Sequence, residues 1–331
     1  MPVVSTIELP RDQYVHPGAP KEWWWHVGTV RAGDRVFGFE VNVTGLANDA
    51  PPIQFVEMMI TDVQNQKHYQ FTGGQLFTND WAEGDHRKPW YVRMRDPDGA
   101  WAVSMTSTLA QPLTIALAAN FVDAATGTAC VITLELEQKG PPLLVWGTGV
   151  HQIVPTPPPK PPLEINNYYY SFTRLDAQGT FQIGAESFAV GGQTWMDHEY
   201  GAFSSGQKWI MQDAQLDNGY HLSNFIAHGQ PVLGQRMASH TTVLTPEGES
   251  VFVDAFVTPL GPQWTDPDKQ RTYCLTMQVE IPTFDAMLTV RSLMADQEFM
   301  PGQVYEAVSR VWGTFGGRTV VGTGWIEQML A

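Results

Sequence analysis

The sequence has little cysteine, few basic residues and no long apolar run. Its 331 residues include only 2 cysteines, which excludes a disulfide framework and is compatible with a reducing cytoplasm. The sequence does not decide whether Cys130 and Cys274 form a single disulfide bond. With 19 Lys and Arg against 34 Asp and Glu, the net charge of −15 argues against nucleic acid and anionic membranes as partners. No apolar run is long enough for a membrane span, and the amino terminus lacks the features of a signal peptide. We therefore expect a cytoplasmic protein without a membrane span, whose partners are neutral or small and whose oligomeric state stays open.

Several motifs of cofactor and metal chemistry are also missing. The 9 histidines form no HxH or HExxH pattern, there is no CxxC, and His198 has no second histidine at ligand spacing. A GxSxG nucleophile elbow and a phosphate-binding glycine loop are absent as well. We therefore predict no metal and no cofactor.

Short strand-like runs separated by turn residues follow one another along the whole chain, and helical periodicity is hard to find. In residues 37–44, apolar positions alternate with Gly, Glu, Asn and Thr, which indicates a strand with one polar face. Gly and Asp predict hairpin turns within residues 31–35, 176–179 and 217–219. We expect the proline tract at 155–162 to form a rigid surface loop. The pattern predicts an all-β protein with two antiparallel barrels, and we place the domains at 1–190 and 191–331.

The chain is organised around the stretch TWMDHEYG at residues 194–201. In an extended strand Trp195, Asp197 and Glu199 share one face, and His198 and Tyr200 share the other. Repulsion between the two carboxylates, together with burial beside an indole, favours one protonated carboxyl group near neutral pH, which is suited to general acid catalysis. The alternative is structural, with Asp197 and His198 holding a sharp connection together through hydrogen bonds to the backbone.

Two aromatic segments accompany this stretch. Residues 23–25 are three consecutive tryptophans, so at least one indole must face a second apolar surface. Glu22 beside them is a further candidate carboxylate. In the second segment, Tyr168 and Tyr170 share a face and Tyr169 takes the other. Buried tyrosine hydroxyls need partners, and we expect them among the carboxylates and the histidine of the central stretch.

Four motifs in order resemble those of the hydroxyneurosporene synthase (carotenoid 1,2-hydratase) family and its lipocalin-like relatives, which include fungal Diels-Alderases. They are EWWWHVG at 22–28, YYS at 169–171, WMDHEYG at 195–201, and YE at 305–306 with GTGWIE at 322–327. Tyr200 stands where the family usually has tryptophan, and Ala307 follows Tyr305-Glu306 where the family has Trp-Glu-Gly. The resemblance implies two tandem lipocalin-like β-barrels with the substrate at or near their junction.

The resemblance also implies a lyase or cyclase of secondary metabolism that acts on a large apolar, polyunsaturated terpenoid or polyketide. The reaction is either acid/base hydration or dehydration, or a pericyclic cyclisation of a folded substrate. The alternative is a non-catalytic carrier of an apolar ligand. The predicted catalytic residues are His198, Asp197, Tyr200 and Glu22. The predicted substrate-binding residues are Trp24, His26, Tyr169, Trp195 and Trp325. We favour His198 as the acid and base that faces the cavity, and Asp197 as an anchor paired with the backbone or an arginine.

Overall fold

The computed structural model describes residues 7–152, 163–202, 208–227, 230–267, 270–299 and 304–330. These residues form 23 strands and three 3₁₀ turns, with no α-helix among them, so the predicted all-β class is confirmed. None of the described segments is a helix long and apolar enough to cross a membrane. The proline tract at 155–162 lies outside the described residues.

The 3₁₀ turns are Arg11–Gln13, Val145–Gly147 and Pro282–Phe284. The strands in chain order are β1 (Lys21–Ala32), β2 (Arg35–Leu46), β3 (Ile53–Asp62), β4 (Lys67–Leu76), β5 (Tyr91–Arg95), β6 (Ala102–Thr106), β7 (Thr114–Val122), β8 (Ala129–Gln138), β9 (Leu143–Leu144), β10 (Val150–Gln152), β11 (Asn166–Ile183), β12 (Glu186–Gly201), β13 (Trp209–Leu216), β14 (His221–Ile226), β15 (Met237–Leu244), β16 (Ser250–Pro259), β17 (Gln263–Thr265), β18 (Thr272–Cys274), β19 (Thr276–Ile281), β20 (Ala286–Ser292), β21 (Glu298–Phe299), β22 (Val304–Phe315) and β23 (Arg318–Met329).

The first sheet is an open half-barrel with the strand order β4-β3-β2-β1-β12-β11-β8-β7-β6-β5. The short strands β9 and β10 pair with β11. Apolar side chains at alternate positions pack together on one face of the sheet, and Phe37, Phe39, Val41 and Val43 of β2 belong to this core. The apolar face predicted for β2 is therefore a core face.

The second sheet is a closed barrel of eight strands. Its order is β20-β19-β16-β15-β14-β13-β23-β22, and β22 pairs again with β20 to close the ring. The predicted pairing of the last two strands is confirmed by the β22–β23 hairpin, in which Val308 lies opposite Trp325. The two sheets give the predicted architecture of tandem lipocalin-like antiparallel barrels.

The chain divides into two compact units. The first comprises Met1–Ile60, Tyr69–Leu144 and Thr148–Phe203, and the second the rest of the chain. The boundary predicted at 190/191 falls within β12, which pairs with β1 and β11 of the first unit. As a division into domains, 1–190 and 191–331 stays a prediction. Cys130 and Cys274 are both buried free thiols.

Two of the three predicted turns are confirmed. Gly33 has a positive φ of 59° in the two-residue turn between β1 and β2, and Gly219 has a φ of 84° between β13 and β14. The turn predicted at 176–179 is wrong, because β11 runs through these residues and the chain reverses at Gly184. Gly179 instead allows two strands to approach closely, since a Cβ atom there would collide with the backbone oxygen of Thr133.

Candidate functional site

The central stretch lies in β12, between β1 and β11 and antiparallel to both. The register places side chains in rows that run across the strands. One row contains Val43, Trp24, His198 and Tyr170, and these side chains belong to or contact the core of the first unit. We call this side of the sheet the core face. The adjacent row contains Asn42, Trp25, Asp197 and Ser171 on the opposite side, which we call the polar face. As the alternation predicted, Asp197 and His198 therefore point to opposite faces.

The core face carries a hydrogen-bonded cluster centred on Glu22. Its Oε1 atom lies 2.8 Å from His16 Nδ1 and 3.0 Å from His198 Nε2. Its Oε2 atom accepts the backbone N–H of His16 at 2.9 Å. The other ring nitrogen of His198 lies 3.0 Å from the hydroxyl of Tyr170, which confirms the predicted tyrosine–histidine contact. His16 belongs to the segment that precedes β1, so this cluster joins that segment to three strands.

Aromatic rings surround the cluster. The ring of His198 stacks on Trp24 at 4.4 Å, and the ring of His16 stacks on Tyr200 at 3.6 Å. Tyr200 in turn stacks on Tyr168. His198, Trp24 and Tyr200 are 0% exposed, so a large apolar substrate has no direct route to them as they are packed here.

Burial dominates the acid–base properties of this cluster. It lowers the pKa of His198 below the ordinary value, although the hydrogen bond with Glu22 acts in the opposite direction. Burial alone would raise the pKa of Glu22, but the charges and hydrogen bonds of His16 and His198 bring that pKa below the ordinary value. Both shifts favour an ionised Glu22 beside a neutral His198.

The polar face carries a second cluster centred on Asp197. Its Oδ1 atom accepts hydrogen bonds from Ser171 Oγ at 2.5 Å and from Trp195 Nε1 at 2.8 Å. The side chain of Tyr169 is also hydrogen-bonded to Asp197. Burial raises the pKa of Asp197 to about 6, even though all three donors favour the ionised form. These partners are side chains, so the expected pairing of Asp197 with the backbone or an arginine is wrong.

A second buried carboxyl group lies on the polar face. Glu57 of β3 accepts a hydrogen bond from Asn42 Nδ2 at 2.5 Å, and burial raises the pKa of Glu57 to about 7. Among the described residues, neither Glu57 nor Asp197 forms an ion pair with a lysine or arginine. Since no cation compensates either carboxylate, each group can hold a proton near neutral pH.

The polar face also carries aromatic rings that remain partly accessible. Trp23, Trp25 and Tyr169 are half-buried, and the two indoles meet edge to face at 6.5 Å. Trp25 lies beside Asp197 in the same row, and Trp23 and Tyr169 flank Glu199 in the next. A buried acid thus lies next to aromatic surface that an apolar ligand can contact.

The structure divides the predicted site residues into three groups. His198, Tyr200, Glu22, Trp24 and His26 lie on the core face, whereas Asp197, Trp195 and Tyr169 lie on the polar face. Trp325 belongs to the second unit, where its indole N–H donates to Glu306. His26 is fully buried, its ring has no hydrogen-bond partner among the described residues, and burial lowers its pKa to about 3.

Sequence reasoning missed several residues of the two clusters. Asn42 lies on the predicted polar face of β2, and Trp25 lies in the tryptophan triplet. The sequence therefore drew attention to both residues, but neither was predicted to belong to the site. Ser171 stood in a recognised motif without an assigned role. Glu57 and His16 had no local signal, because Glu57 lies on a different strand from Asn42 and His16 lies outside any strand.

Comparison with known proteins supports the motif analysis. The sequence matches the AttH-like family over residues 3–329. No curated protein matches the sequence. Among solved structures, an AttH protein of Nitrosomonas europaea is 19% identical with a TM-score of 0.71, covering 99% of this chain and 97% of that chain.

Two further structures share the fold at lower identity. Kievitone hydratase of Nectria haematococca is 12% identical with a TM-score of 0.67, covering 99% of this chain and 96% of that chain. CghA with bound Sch210972 is 13% identical with a TM-score of 0.52, and the match covers 100% of this chain and 95% of that chain. The resemblance stated from the motifs is thus confirmed at the level of the family. The chain belongs to the AttH-like family.

Proposed function

We propose that this protein is a carbon–oxygen lyase that adds water to, or removes it from, a large apolar unsaturated molecule, with Asp197 as the general acid and base. The observation that carries the proposal is the environment of Asp197. It is a buried carboxyl group with a pKa of about 6, next to the half-buried rings of Trp25 and Tyr169. With this pKa, about half of the molecules carry the proton at pH ~6 and roughly one tenth at pH ~7, far more than for an ordinary aspartate of pKa ~3.9. The acid form that acid catalysis requires is therefore available.

The geometry suits both directions of the reaction. Ser171 and Trp195 both donate to Oδ1, and we assign the proton to Oδ2. Tyr169 is a third hydrogen-bond partner of the carboxyl group. In hydration, Oδ2–H protonates one alkene carbon, and the π electrons of the double bond form the new C–H bond. Water then adds to the cationic carbon and returns a proton to Asp197. Dehydration is the reverse sequence. The two donors on Oδ1 stabilise the carboxylate formed in the first step, and indole faces stabilise the cation.

Asp197 is better placed for this role than His198. His198 lies on the core face against Trp24, and the side chains of His198, Trp24 and Tyr200 are fully buried. Burial also lowers the pKa of His198, which disfavours the protonated form that an acid needs. The assignment of His198 as the acid stays a prediction, and the contacts of Asp197 support the alternative.

The known proteins agree with this reaction class without specifying the substrate. Kievitone hydratase shares the fold, and the motifs of the chain resemble those of carotenoid hydratases. We propose a large apolar, unsaturated molecule as the binding partner of this protein. We propose that the reaction takes place in the cytoplasm, a proposal that the low cysteine content and the two free thiols support.

The test uses water labelled with ¹⁸O and a panel of unsaturated terpenoids and polyketides that includes kievitone. Mass spectrometry of the recovered compounds separates the possible functions. Hydration adds one labelled water, and dehydration of a hydrated compound removes one water. Cyclisation changes retention without a mass change, and a carrier returns its ligand unchanged. We expect gain or loss of water with wild type and neither with Asp197→Asn. Formation of cyclised product alone would indicate a cyclase, and recovery of unchanged, tightly bound ligand would indicate a carrier. Either result would contradict the proposal.

A further inference from the structure

Three potential metal-binding atoms converge on the core face of the first unit. His16 Nδ1, Glu22 Oε1 and His198 Nε2 all lie within 4.8 Å of one another. The two contacts of Glu22 Oε1 measure 2.8 Å to His16 Nδ1 and 3.0 Å to His198 Nε2. Ligand atoms around a tetrahedral Zn²⁺ ion stand about 3.3 Å apart, so small side-chain movements give that geometry. Two imidazoles and a carboxylate are also a common ligand set for first-row transition metals.

Both ring nitrogens of His198 lie within hydrogen-bond distance of an oxygen, Nδ1 of the Tyr170 hydroxyl and Nε2 of Glu22 Oε1. When Tyr170 donates its hydroxyl proton to Gln13 Oε1 at 2.5 Å, its oxygen can accept the Nδ1–H of His198. A neutral His198 then has its lone pair on Nε2, which faces Glu22 Oε1 at 3.0 Å. This contact is favourable only with a proton or a metal cation between the two atoms.

The surroundings of the three ligands also match a metal site. Histidine ligands of metals usually bond through their second nitrogen to a carboxylate, carbonyl or other polar group that fixes the ring. Tyr170 occupies this position for His198, and Asp12, which also pairs with Arg11, lies 3.5 Å from His16 Nε2. The backbone N–H of His16 donates a hydrogen bond to Glu22 Oε2, and this contact fixes the carboxylate with Oε1 directed toward the two imidazoles.

We propose that His16, Glu22 and His198 bind a divalent transition-metal ion, with Zn²⁺ as the representative ion. The metal joins the segment before β1 to strands β1 and β12, and therefore stabilises this part of the first unit. Three protein ligands leave a fourth position for water. This site lies on the opposite face of the sheet from Asp197, so its existence does not depend on the proposed reaction.

Metal binding is measured on the full chain after treatment with EDTA and dialysis. We expect titration calorimetry to show one Zn²⁺ per chain and the melting temperature to rise when Zn²⁺ is added. Substitution with Co²⁺ should give the visible absorption bands of a four-coordinate nitrogen and oxygen site. If the folded, EDTA-treated wild type takes up neither ion, the proposal is wrong and the cluster is a hydrogen-bond network held by protons.

Variants locate the site. His16 lies at the edge of the cluster with a side chain that is 13% exposed, so His16→Ala should fold. This variant and Glu22→Gln are expected to weaken Zn²⁺ binding by more than about 100-fold, and Tyr170→Phe by about 10–100-fold. His240→Ala is the matched control, because His240 is exposed and lies 3.3 Å from the exposed carboxylate of Asp254. Unchanged affinity in a folded His16→Ala protein would place the bound metal elsewhere and overturn the proposal.

Discussion

Asp197 and His198 are consecutive residues of β12, and their side chains belong to two separate clusters on opposite faces of one sheet. Asp197 is bonded to Ser171 and Trp195, whereas His198 contacts Glu22 and Tyr170. A substitution at either position therefore removes one cluster's central contacts and leaves the side chains of the other in place. The Asp197 cluster and the Glu22–His198 cluster can therefore be tested by separate substitutions.

The first prediction concerns the protonation of Asp197 in the absence of substrate. Burial raises its pKa to about 6, so its carboxyl carbon should titrate around that pH in a ¹³C NMR experiment. An ordinary aspartate titrates near pH ~3.9. The spectrum of Asp197→Asn assigns the resonance, and Asp176→Asn, which removes an exposed aspartate of β11, is the control. A midpoint for Asp197 below pH ~4 would remove the physical basis for its role as an acid.

The second prediction concerns Ser171, which donates a hydrogen bond to Asp197 and favours its ionised form. Ser171→Ala should raise the pKa of Asp197 further, by about one unit, because a hydrogen bond to a charged group contributes about 1.5 kcal/mol. The pH above which acid-catalysed turnover falls should move upward by the same amount. Ser187→Ala, at an exposed serine of β12, should leave the profile unchanged. An unshifted profile in Ser171→Ala would show that Asp197 does not set it.

The third prediction concerns stability on the core face. His198→Ala removes a partner from the buried carboxylate of Glu22 and should lower the free energy of unfolding by about 2–4 kcal/mol. Urea denaturation in the presence of EDTA measures this loss without a contribution from bound metal. Adding Glu22→Gln to His198→Ala should recover part of the loss, because the uncompensated charge is then absent. Equal stability of His198→Ala and wild type would contradict the described contact.

The fourth prediction uses the buried, uncharged His26. Its pKa is about 3 in the folded protein, against about 6.5 for an unperturbed histidine, so between these values the unfolded state binds more protons. The free energy of unfolding of the wild type should therefore fall with decreasing pH, relative to His26→Leu, by about 1.4 kcal/mol per pH unit. The difference between the two proteins cancels the contributions of Asp197 and Glu57. His86→Leu, at an exposed histidine, should follow the wild type. Parallel curves for His26→Leu and wild type would contradict the shift.

Local pattern was sufficient to predict the all-β class and the faces of the strands at the site. The alternation of apolar and polar residues separates Asp197 from His198, and the position of Gly33 predicts the turn between β1 and β2. These features depend only on neighbours in the chain, since side chains alternate along any extended strand. The same reasoning predicted that the buried tyrosines bond to a carboxylate or the histidine of the central stretch, and Tyr170 contacts His198.

Contacts between different segments of the chain could not be predicted in the same way. His16 lies outside any strand, and it joins Glu22 and, through Glu22, His198 because the segment before β1 packs on the core face. The pairing of Glu57 with Asn42 joins two strands through side chains that carry no motif. Residues 176–179 contain turn-forming types, yet tertiary pairing with β12 and β8 keeps them extended. In each case the conformation and contacts of the residue depend on which other segment of the chain packs against it.

The most direct test of the proposed reaction compares Asp197→Asn with His198→Asn in ¹⁸O-labelled water, using a substrate that the wild type hydrates. Circular dichroism and the melting temperature first establish that each variant is folded. We predict that Asp197→Asn loses incorporation of the label by at least about 100-fold, as expected for removal of a general acid. Folded His198→Asn should retain incorporation. Full incorporation with Asp197→Asn, together with none in a folded His198→Asn protein, would contradict this account and assign the acid to the core face.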